Sequence, residues 1–273
     1  MDNKNLIILP QELPKNRAKI LYEEFQYAWD RTSNKEKRNW AKESLKLFGK
    51  VTLRRGKGFL QAIGSLLMGL TMESINFGVA IYNKSGYSHL QDRTKKTIQF
   101  IKDASSKSKV VSKSIYNLLK NNPKETAPIM FLGVIGFFVG SGGFDGDEGI
   151  PDWDIKFGGI GNHRSIFFHS IISAAVLESM VFSSVKAINI IHSKLPENHD
   201  PFWDYISGYQ KWAEAFVTGA CVGIAYHLLI DGTIQGNKAY VDLPVKDLSM
   251  DVHNTIFVSN AVAEGLDANK KKI

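Results

Sequence analysis

Gly223-Ile-Ala-Tyr-His227-Leu-Leu-Ile-Asp231 is an apolar run interrupted by one imidazole and, four positions later, one carboxylate. That spacing puts both on one face of a helix. An ionised aspartate in such surroundings is costly unless a cation or a hydrogen-bond network compensates it. The stretch therefore reads as a buried helix carrying a site. His227 is a metal ligand in that reading, and Asp231 is either a second ligand or its orienting partner.

Two more segments offer the same donor types. Upstream, Gly140-Ser-Gly-Gly-Phe-Asp145-Gly-Asp147-Glu148-Gly-Ile-Pro151-Asp152-Trp-Asp154 is dense in glycine and acid. Asp152 and Asp154 lie two apart and project to the same side if the segment is extended. Asp145-Gly-Asp147-Glu148-Gly lacks the spacing of an EF-hand loop. His163-Arg164-Ser165-Ile-Phe-Phe-His169 follows. Its six-residue spacing brings two imidazoles together if His163 precedes a helix, Ser165 caps it and His169 sits in its first turns. The ligand pool is thus Asp152, Asp154, His163, His169, His227 and Asp231. Imidazole with carboxylate suits a divalent metal, Zn2+ first, with Mn2+ or Fe2+ as alternatives. Arg164 would steady developing negative charge, and Asp147 or Glu148 would act as general base.

Apolar positions recur at helical spacing along most of the 273 residues, and few runs alternate with period two. The expected fold is all-α: a multi-helix bundle with the metal site between helices and a Gly/Asp-rich loop. Its expected parts are a basic helical region (1–125), a helical core (126–250), and a C-terminal helix and tail (251–273). Thr32-Ser-Asn breaks the first polar helix, with Ser33 or Asn34 as the next cap. Arg54-Arg-Gly-Lys-Gly reads as a basic turn. Helices are expected over 88–120, from about 201 to 230, and over 251–266. His192, His199 and His253 lie in polar segments and read as surface histidines, and His89 as a loop residue. The single cysteine, Cys221, excludes an intrachain disulfide and a cysteine-ligated zinc finger, and reads as a small core residue.

Charge is uneven. Residues 1–125 hold 24 Lys and Arg against 11 Asp and Glu, a net of +13, and the remainder is −6. A basic half of this kind meets an anionic membrane surface or nucleic acid. Few aromatics interleave with the lysines, which argues against a base-stacking platform. The N-terminal apolar run is four residues long and ends at Pro10, too short for a secretory signal. Four stretches approach the ~20 apolar residues of a membrane span: Phe59 to Tyr82, Ala127 to Val139, Ile166 to Ile191 and Phe216 to Ile230. The expected location is the cytoplasmic side of a membrane or integral in an inner membrane, with a soluble cytoplasmic form as the other option.

Pro151-Asp152-Trp-Asp154, then His163-Arg164-Ser165 with His169-Ser170, then Gly223-x-x-x-His227-x-x-x-Asp231-Gly-Thr with Gly236 and Pro244 behind it, resembles the YdjM-like family. These are bacterial membrane-bound metal-dependent hydrolases distantly related to zinc-dependent phospholipase C. The resemblance covers about residues 128–245. It implies an all-helical fold, a divalent-metal centre and hydrolysis, with phosphoesters as the substrate class (a phospholipid or a nucleotide or nucleic acid). The chain departs from the family pattern in four places. Its His–His spacing is one residue longer, Ser165 stands at the glycine position, and Ile155 replaces a histidine. His89, the only histidine before residue 163, poorly replaces the family's early N-terminal histidine. The alternative reading is a non-catalytic membrane-associated or effector protein that keeps a structural metal.

Overall fold

The computed structural model describes residues 16–144, 148–159, 163–234, 238–245 and 247–268. Among these, every regular element is helical: α1 (Arg17–Arg31), α2 (Asn34–Tyr82), α3 (Gly86–Asn121), α4 (Pro123–Ser141), a 3-10 turn (Ile150–Asp152), α5 (Trp153–Gly158), α6 (Ile171–His192), α7 (Phe202–Ile206), α8 (Gln210–Thr233) and α9 (Met250–Ala268). The all-α expectation holds. The chain forms two compact units, Met1–Leu47 with Met180–Gln210, and Phe48–Ser179 with Lys211–Ile273.

In the first unit, α1 stops where Thr32 turns its hydroxyl back to Ala28 O at 2.9 Å. Ser33 and Glu36 then start α2 as a reciprocal cap. The Glu36 N–H donates to Ser33 Oγ at 3.2 Å, and the Ser33 N–H donates to Glu36 Oε2 at 2.8 Å. Ala28, Ile191 and Trp203 form the apolar centre of this unit, with Leu21, Trp29, Leu195 and Ile206 against them.

The second unit turns on the contact between α4 and α8. A Cβ at Gly136 or Gly140 would run into the carbonyl oxygens of Phe216 and Ala220, and one at Gly219 or Gly223 into those of Gly133 and Phe137. The two helices meet backbone to backbone through small residues, the arrangement that lets apolar helices approach most closely. Gly219, Gly223, His227 and Asp231 form one i+4 row, so the ridge that packs α8 on α4 continues into the two polar residues.

Arg54 and Arg55 do not form a turn, and α2 runs through them. Arg55, 1% exposed, reaches Glu264 and lies 2.5 Å from Glu178 Oε2 and 3.3 Å from Asp267 Oδ2. Arg54 binds Glu178 at 2.7 Å and Asp267 at 2.9 Å. Glu178 and Glu264 are fully buried, so these pairs explain how carboxylates enter the apolar helices α6 and α9. Tertiary pairing outweighs the helix-weakening Gly56 and Gly58 here. His89 is likewise helical, in α3, 3.0 Å from Glu73, which also pairs with Arg93. Cys221 is fully buried, as expected for a core residue.

Helices α2, α4, α6 and α8 are each long and apolar enough to cross a membrane, by length and composition. The apolar stretch of α2 is almost wholly uncovered, with Leu67, Met68, Leu70, Met72 and Ile75 all exposed.

Two outcomes are expected. Arg55→Ala takes the buried cation from Glu264 and leaves Glu178 to Arg54, and lowers stability by about 3–5 kcal/mol, read as a fall in thermal midpoint. Gly140→Val forces α4 from α8 and costs about 1–3 kcal/mol or more, measured the same way.

Candidate metal centre

Three segments of the second unit deliver the donors: the 3-10 turn with α5, the turns 163–170, and the C-terminal end of α8. Asp152 Oδ1 is the hub. It lies 2.7 Å from His163 Nε2, 3.8 Å from His169 Nε2 and 3.7 Å from His227 Nε2. Asp231 Oδ2 lies 3.5 Å from both His169 Nε2 and His227 Nε2. The result is two overlapping triads that could hold a metal ion, Asp152–His163–His169 and His169–His227–Asp231.

The imidazoles are aimed by their remote nitrogens. His227 Nδ1 donates to Ser141 O at 3.4 Å, a contact available because α8 lies so close to the end of α4. In the neutral ring, that leaves the Nε2 lone pair directed at two carboxylates, an arrangement that a cation resolves. His169 Nδ1 faces Asp154 Oδ2 at 3.1 Å, while its Nε2, in a fully buried ring, has no hydrogen-bond partner among the described residues. A buried polar atom without a partner is costly, and here it points at Asp152, Asp231 and His227. The donor set present therefore fits a divalent cation.

Electrostatics agree. Burial drives the His169 imidazole below its ordinary value, against the pull of Asp154 and Asp231, and so favours the neutral form that ligates. Burial pushes the Asp152 carboxyl up, but the His163 hydrogen bond, with His227 and His169 wherever these rings are protonated, outweighs it and holds it below the usual range. Asp154 is also held low. Its burial is outweighed by His169 and by the Ser165 N–H, which donates to Asp154 Oδ2 at 3.0 Å.

Asp152, His163, His169, His227 and Asp231 thus converge as the sequence suggested. Asp154 takes a different post. The segment is helical rather than extended, so Asp152 and Asp154 diverge, and Asp154 orients His169 from behind. The helix expected to begin near Ser165 begins at Ile171 instead. The donors of this segment are taken by side chains: Ser165 N by Asp154, Ile166 N by Asp242 Oδ1 at 3.0 Å, and Ile171 N by Asn260 Oδ1 at 3.2 Å. Ser170 Oγ then caps α6 by accepting from Ile172 N at 3.1 Å. His169 therefore lies in a fixed turn, not in the helix.

Arg164, held at φ +70°, brings Nη2 to 3.6 Å from Asp231 Oδ1. Glu148 is exposed, and its link to the centre is its backbone N–H, which donates to Asp152 Oδ2 at 3.0 Å. Asp145 and Asp147 lie outside the described residues. The helix expected from 201 to 230 is two helices, α7 and α8, parted at 207–209, and α8 includes Asp231.

Sequence reasoning missed Ser141, Asp242, Asn260 and His253. The last is no surface residue. It is fully buried and accepts the Ala239 N–H at 3.1 Å, bracing the segment that carries Asp242. No local pattern marks these four. Each acts through a partner distant in the chain. Comparison of the chain with protein families, curated proteins and solved structures finds no match.

Asp152→Ala is expected to abolish stoichiometric binding of a divalent metal. Asp154→Asn should keep the site but weaken it by roughly 10–100-fold, the usual cost of losing an orienting partner. Metal titration of both variants, with circular dichroism as the check on folding, measures the difference.

Proposed function

We propose that the protein is a membrane-associated, metal-dependent hydrolase of phosphoesters. The observation that carries this is His169 Nε2, buried and without a hydrogen-bond partner among the described residues, facing the oxygens of Asp152 and Asp231. Zinc suits two or three imidazoles with carboxylate best. When bound, such an ion supplies a Lewis acid and a water that ionises near neutral pH.

The residues of the chain do the rest. Asp152, His169, His227 and Asp231 hold the ion, with Asp154 and Ser141 fixing the rings. The side chains of His163, Asp152 and Arg164 keep 17%, 11% and 18% exposure, so substrate enters on their side. Arg164 is suited to a phosphoryl oxygen, since a guanidinium matches phosphate geometry. Glu148, exposed beside Asp152, is the carboxylate we assign to proton transfer. The resemblance to the YdjM-like hydrolases supports the same substrate class. The exposed apolar face of α2 and the +13 charge of residues 1–125 support an anionic membrane surface as partner; nucleic acid is the other polyanion this charge fits.

The burial of His169, His227 and Asp231 favours a second reading, an ion that only braces the fold. Zinc-loaded protein assayed on phosphodiester, phosphomonoester and phospholipid substrates separates the two. The hydrolase reading expects turnover that falls at least about 100-fold in Arg164→Ala while metal content is unchanged. Absence of turnover on every ester, with zinc bound stoichiometrically, leaves the structural ion.

A further inference from the structure

A second convergence of nitrogen and oxygen donors lies in the first unit. His192 ends α6, His199 sits in the connection 193–201, and Asp204 lies in α7. His192 Nε2 is 2.8 Å and His199 Nε2 is 3.6 Å from the same oxygen, Asp204 Oδ1. The two rings are 5.2 Å apart and inclined at 70°, and one donor atom from each of the three residues lies within 4.8 Å of the others. Donors around a tetrahedral zinc at ~2.0–2.1 Å are about 3.3 Å apart, so small side-chain shifts would close this set on an ion. Neither histidine is the free surface residue its polar surroundings suggest.

The hydrogen-bond geometry favours a cation. His199 Nδ1 donates to Asp200 O at 3.1 Å. In the neutral ring, Nε2 then carries the lone pair and faces a carboxylate oxygen that already receives His192. Lone pair against anion is unfavourable, and a metal between them reverses the sign. The connection is also held in shape before any ion arrives. Arg17 grips Asp200 with two hydrogen bonds, of 3.1 and 2.9 Å. Glu24 accepts from Asp200 N and from Trp203 Nε1, each at 2.8 Å. Such preorganisation lowers the cost of closing a site.

We propose that His192, His199 and Asp204 bind a divalent transition metal, zinc above all, as a site separate from the Asp152 centre. The ion would tie the end of α6 to α7 across the connection. The Asp204 side chain is 64% exposed, so the remaining coordination position opens to water.

Apo protein titrated with zinc chloride tests this, with metal content measured after gel filtration. Wild-type protein is expected to retain one more equivalent than His192→Ala/His199→Ala. Both replaced side chains lie at the edge of the first unit, and matching circular dichroism confirms that the double variant folds. Zinc should also slow tryptic cleavage after Lys194 in the wild type and leave the variant's rate unchanged. Equal zinc content in the two proteins overturns the site, as does protection at Lys194 that survives both substitutions. His227→Ala, run in parallel, reports on the first centre alone, so the failure of one site is not mistaken for failure of the other.

Discussion

Between α4 and α8 there is no room for a methyl group at Gly136, Gly140, Gly219 or Gly223. That closeness is a constraint on chemistry as well as on packing. It brings Ser141 O within reach of His227 Nδ1, which decides which nitrogen of His227 is left for a cation. A bulkier residue anywhere in the glycine row would separate the helices and release the ring from its carbonyl. Precision at the centre is thus inherited from the backbone contact of two apolar helices, which carry few polar groups of their own to fix a register.

Charge inside these apolar helices follows one rule throughout the second unit. Glu178, Glu264 and Asp267 face Arg54 and Arg55. Asp152 and Asp231 face imidazoles. Buried ion pairs rarely add much net stability, but leaving one member alone is severe. The difference between the two clusters is that arginines close the first with cations of the chain itself. The second, among the described residues, has Arg164 at its edge, and its donors are positioned to hold an ion.

The helical fold was legible because apolar residues recur with the helix period, and the candidate donors stood out because histidine and aspartate are expensive within such runs. What stayed hidden depended on tertiary partners. Arg54-Arg-Gly-Lys-Gly has the composition of a turn, and only the acids of α6 and α9 make it helix. Asp154 resembles Asp152 in every local respect; the helical phase of α5 separates their roles. His253 sits in a polar stretch yet is buried, because Ala239 N needs an acceptor. His192 and His199 looked solvent-facing for the same reason, since Asp204 joins them through a short helix the sequence did not reveal.

His169 has carboxylates on both sides, Asp154 at Nδ1 and Asp152 with Asp231 at Nε2. A fully buried imidazole with carboxylates facing both of its nitrogens is suited to anchor a cation. In the proposed hydrolase, proton transfer falls to the more exposed side chains, His163 and Glu148. The interior of the site sets geometry, and its mouth sets acidity.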